Sequence, residues 1–90
     1  MEEKFKNWLI QESYREFSQK RNPSTVYDYC KRVSMVIENE KLGSWEKLAD
    51  NIGYYVKIYG PDGAKEKEGE KSHRSVINAL RAFERFLKTV

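Results

Sequence analysis

Three stretches of this chain repeat apolar residues at steps of three and four, a spacing that commits them to helices. In "SHRSVINALRAFERFLKTV", Val76, Ala79, Leu80, Phe83, Phe86, Leu87 and Val90 share one side of a 3.6-residue repeat. Val26, Tyr29, Cys30, Val33, Val36 and Ile37 do the same, as do Trp45, Leu48, Ala49, Ile52, Tyr55, Val56 and Tyr59. Such a stripe is stable only when a second apolar face covers it, so the helices must pack on one another. No period-two alternation marks a strand, and no segment repeats. The expected fold is all-α, a compact four-helix bundle forming a single domain over residues 1–90.

The boundaries follow from capping chemistry. A first helix is expected from about Glu2 to Phe17, with Phe5, Trp8 and Leu9 on one side and Ile10, Tyr14 and Phe17 on another. Asn22 is a suitable N-cap for the second, because its side chain can accept a free backbone N–H. Pro23 then stands at the first helical position, where its missing N–H costs nothing. Gly43 is the expected stop and Ser44 the cap of the third helix. Gly53 weakens that helix by about 1 kcal/mol relative to alanine, so a break is expected near it. Gly60-Pro61 ends it, and Ser72 is the expected cap of the fourth. Between them, "GPDGAKEKEGEK" holds no large apolar residue and reads as a charged, solvated loop over 60–71.

Ninety residues with 39% hydrophobic content are enough for one core with a narrow stability margin. Cys30 is the only cysteine, so no internal disulfide forms, and a buried thiol in a reducing, cytoplasmic compartment is expected. "MEEKFKNWLI" lacks the apolar run of a signal peptide, and no segment has the length of a membrane span.

The net charge of +3 is unevenly placed. Arg74, Arg81, Arg85 and Lys88 stand against Glu84 alone in residues 72–90, and the rest of the chain balances. On a helical wheel with Val76 at zero, Lys88 falls at about 120°, Arg81 at about 140°, Arg74 at about 160° and Arg85 at about 180°. Asn78 lies beside them at about 200°. The four cations therefore form a ridge opposite the apolar stripe. Arg81 and Arg85 repel at i, i+4, and Arg74 opposes the helix dipole in the first turn. That turn also offers free N–H groups, which with a nearby arginine suit a phosphate. The other reading is an ordinary solvated face, neutralised by loop carboxylates such as Glu68 or Glu70.

Three pieces in order, "FKNWL", "NPSTVYDYCKRV" and "SHRSVINALRAFERFL", resemble the N-terminal core-binding domain of tyrosine recombinases, the SAM-like domain of phage integrases. The second piece has Thr25 and Tyr29 at the family's spacing, and the third ends in the family's "ALRxFxxFL" pattern. The resemblance runs from about Phe5 to Leu87. It implies a compact four-helix orthogonal bundle that grips one side of double-stranded DNA, with the starts of its second and last helices near the backbone and major groove. By position these starts are Lys20, Arg21, Asn22, Ser24 and Thr25, then Ser72, His73 and Arg74, with Lys31 and Arg81 further along. Base reading falls to Asn22, His73 or Asn78. The 60–71 loop is longer than the family's connection. The recombinase active site (two arginines, a lysine, His/Trp-type residues and a tyrosine nucleophile) is not supplied by these residues.

Other chemistry finds little support. Tyr27, Tyr29, Tyr54, Tyr55 and Tyr59 lack a converging arginine pair and read as core and rim aromatics. His73, the only histidine, has no partner at metal-ligand spacing. No phosphate-binding loop, dinucleotide fingerprint or hydrolase motif is present. The expectation is a non-enzymatic DNA-binding module without a cofactor or small-molecule substrate, its further partners a recombinase catalytic domain or other recombinase subunits. The alternative is a helical protein-interaction domain of the same fold, with Met35 and exposed aromatics as its contact face.

Overall fold

The structure, a computed structural model, describes the backbone of residues 1–17 and 23–89 and the side chains of 1–12, 26–71 and 74–89. Among these residues there are six helices and no strand: α1 (Glu2–Phe17), α2 (Pro23–Asn39), α3 (Trp45–Asp50), α4 (Ile52–Tyr59), α5 (Glu66–Gly69) and α6 (Lys71–Leu87).

The last helix is the hub. It packs most extensively on α2, then on α4 and α5, and also touches α1. Its buried residues are Val76, Ile77, Ala79, Leu80, Ala82, Phe83 and Phe86, a wider stripe than the spacing alone marked out. The width follows from its neighbours, since α2 and α4 both cover it. From α1 come Phe5 and Leu9, and from α2 come Val26, Cys30, Val33, Val36 and Ile37. Phe83 sits at the centre of an aromatic cluster, edge-on to Phe5 at 5.3 Å and to Trp45 at 5.4 Å between ring centroids. Both geometries are favoured by the ring quadrupole.

Several boundaries depart from the sequence expectations. The α2 terminus falls at Lys41, not Gly43: Lys41 takes φ 56°, and the Leu42 N–H reaches back to the Ile37 carbonyl at 2.9 Å. This is the hydrogen bond of a left-handed helix end, made here by a lysine. Ser44 does cap α3, its hydroxyl accepting the Lys47 N–H at 3.2 Å. The third helix does break near Gly53, as expected: the break falls at Asn51, with Gly53 an exposed residue within α4. Ser72 is not a cap either: α6 begins at Lys71 after Glu70, which makes no side-chain cap bond.

The largest difference is the 60–71 segment. It is not a free loop but folds back on α4 and contains α5. The Lys65 N–H bonds the Ile58 carbonyl at 2.7 Å. A β-carbon at Gly69 would lie 1.9 Å from the Tyr59 carbonyl oxygen, so this close approach requires glycine. The Lys65 ammonium and the Tyr59 hydroxyl both reach Glu40, just past the end of α2, the latter at 2.7 Å. Polar contacts and glycine thus order a stretch that has no large apolar residue.

Candidate nucleic-acid interface

The ridge on α6 begins with an unusual backbone. Arg74 has φ 68° inside the helical run, a conformation disfavoured for any residue with a β-carbon, although its N–H still bonds the Glu70 carbonyl at 3.0 Å. From there Arg74, Arg81, Arg85 and Lys88 are all exposed, and Asn78 is half-buried among them. The helical wheel therefore placed these side chains on the correct face. Arg85 is the exception in detail. Its guanidinium lies 5.8 Å from the Trp8 ring centroid, so it leans onto α1 and is not directly opposite the core.

Two hollows flank the ridge, and Arg81 lines both. One, of about 440 Å³, brings Asn78, Arg81 and Arg85 together with Tyr29 of α2 and with Glu84. The other, of about 160 Å³, joins Arg74 and Arg81 to Glu66 and Glu70. The cationic end of α6 is therefore not a purely positive surface. Neither Arg74 nor Arg81 closes an ion pair with a described residue. Two nearby lysines are engaged elsewhere, Lys65 with Glu40 and Lys71 with Glu68 at 3.0 Å.

Of the residues singled out from the sequence, Arg74, Asn78 and Arg81 share this face. Lys31 does not: it is exposed on α2 and lines a separate hollow of about 340 Å³ against α1, with Glu2, Lys6, Tyr27 and Ser34. Ser24 and Thr25 lie in the first turn of α2 and Ser72 and His73 in that of α6, their side chains outside the described residues. Lys20, Arg21 and Asn22 fall outside them altogether. Sequence reasoning missed Tyr29 as a wall of the Asn78 hollow, having assigned it to the buried stripe. It also missed Glu66 as a neighbour of Arg74, because that proximity depends on how the 60–70 segment folds.

The remaining candidates separate cleanly. Tyr55 and Tyr59 are buried, whereas Tyr27 and Tyr54 are 69% and 59% exposed. Met35 is half-buried, its sulfur 3.4 Å from Arg32 Nη1, so it is not the open apolar contact anticipated for a protein partner. Among the described residues no cluster of His, Cys, Asp and Glu forms a metal site, and no helix is long and apolar enough to cross a membrane. No family model, curated protein or solved structure matches the chain.

Proposed function

We propose that this chain is a DNA-binding module without catalytic activity of its own, of the kind that the tyrosine-recombinase core-binding domain exemplifies. The carrying observation is the row of exposed cations on α6, with Arg74 and Arg81 unpaired among the described residues. Such a row favours a polyanion whose charges are spaced along a groove, because each cation gains by displacing a condensed counterion. On this reading α3 and α4 are one bent helix and α5 is an elaboration of the connection. The bundle then reduces to the four helices of the SAM-like type. Phosphate contacts from Arg74 and Arg81 supply affinity, and half-buried Asn78 between them is the candidate for a base edge.

One observation favours the alternative, a protein-interaction domain: Glu66 and Glu70 share a hollow with Arg74 and Arg81. A mixed-charge surface suits a protein partner better than a phosphate backbone. An NMR titration with duplex DNA separates the two readings. Shifts along α6 from Arg74 to Arg81 support DNA binding. Shifts confined to α1 and the Tyr27 hollow, or none at low salt, refute it.

A further inference from the structure

Resting on the DNA-binding reading, we infer that the 60–70 segment is a counter-charged guard over the leading end of α6: Glu66 and Glu70 hold the affinity of Arg74 and Arg81 for phosphate below what the arginines alone would give. Glu66 and Glu70 line one hollow of about 160 Å³ together with Arg74 and Arg81. Four residues of opposite charge lining one hollow act on the same incoming anion, and at close range salt screens such charges only partly. No ion pair closes between them among the described residues, so the arginines remain available while the carboxylates repel.

The placement is built into the fold. Lys65 is tied down twice, its ammonium on Glu40 and its N–H on the Ile58 carbonyl at 2.7 Å. Gly69 lies against the Tyr59 carbonyl, in a contact that no other residue fits. Glu66 follows Lys65 and Glu70 follows Gly69, so the backbone that carries each carboxylate is held by one of these three contacts. Of the lysines in and beside the segment, Lys65 is held by Glu40 and Lys71 by Glu68, while Lys67 is exposed and does not line the hollow. A sequence whose only need was a hydrophilic connection has no use for three such contacts. A sequence that fixes negative charge beside a cationic contact does.

The test measures binding of a short labelled duplex by fluorescence anisotropy for three proteins: wild type, Glu66→Gln/Glu70→Gln, and Glu46→Gln/Asp50→Gln. The last pair makes the same charge change on α3, where both residues are exposed and away from the hollow. The hollow variant should bind about three- to tenfold tighter than wild type at about 50 mM salt, the gain shrinking toward about 200 mM, with the α3 variant within about twofold of wild type. Equal affinity of wild type and the hollow variant, or equal tightening in the α3 variant, overturns the guard and leaves DNA binding in place. No binding by any of the three overturns the DNA-binding reading and the guard with it.

Discussion

The Tyr59 hydroxyl donates a 2.7 Å hydrogen bond to Glu40 Oε2, joining the end of α4 to the end of α2 across 19 positions of sequence. Lys65 donates to the same oxygen and stands 5.7 Å from the Tyr59 ring centroid. One carboxylate therefore gathers two helix ends and the 60–70 segment. Burial pushes the Glu40 carboxyl up, but the hydrogen bonds from Lys65 and Tyr59, with the Lys65 charge, outweigh it and hold the group below its ordinary value.

That balance sets an acid dependence. A carboxyl depressed on folding stabilises the native state above its unfolded value, 4.5 for glutamate, and loses that contribution as pH falls through the folded value. Glu40→Gln should therefore melt lower than wild type at neutral pH, with the gap closing below about pH 4.5. A gap that is constant across the acid range contradicts the assignment.

At the alkaline end the same contact protects a phenol. Burial, then the hydrogen bond to Glu40 and its charge, push Tyr59 well above the ordinary tyrosine range. In an absorbance titration, Tyr59→Phe should remove amplitude only at the most alkaline end, near the loss of native structure. The substitution should also lower stability by about 1.5–3 kcal/mol, the worth of a hydrogen bond to a charged acceptor.

Phe83 is fully buried and meets Phe5, Trp45 and Phe86. Truncation to alanine opens a cavity between α1, α3 and α6 and should cost about 3–5 kcal/mol in denaturant unfolding. In a domain this small that approaches the whole stability. A loss below about 1 kcal/mol is incompatible with the packing described.

Lys41 is exposed and holds φ 56° at the end of α2. Glycine adopts this conformation without a steric penalty, so Lys41→Gly should raise stability by about 0.5–1 kcal/mol. Destabilisation instead would show that the lysine side chain has a role that its exposure does not reveal.

How much of this was legible in the sequence depends on whether a feature is local. The apolar stripes, Ser44 as a cap and the exposure of Arg74 and Arg81 follow from periodicity and capping chemistry along one helix. They need no knowledge of what packs where. The Lys41 terminus was hidden because Gly43, two residues on, is the better left-handed residue by intrinsic preference; Gly43 does take φ 83°, but the helix has already ended at Lys41 with φ 56°. The 60–71 fold was hidden for a deeper reason. It rests on Gly69 meeting the Tyr59 carbonyl and on Lys65 reaching Glu40 across 25 positions, contacts that have no periodic signature. The same limit separated Lys31 from Arg81, since only helix packing decides which hollow each one lines.

The most direct test is the salt dependence of duplex DNA binding by wild type and by Arg74→Glu/Arg81→Glu. With about four to six phosphates neutralised, wild-type affinity should fall with a log–log slope of about −4 to −5, and the variant should bind more weakly with a slope shallower by about two. Wild type and variant binding with the same affinity and slope, or wild type failing to bind at low salt, contradicts the claim that α6 carries a DNA contact.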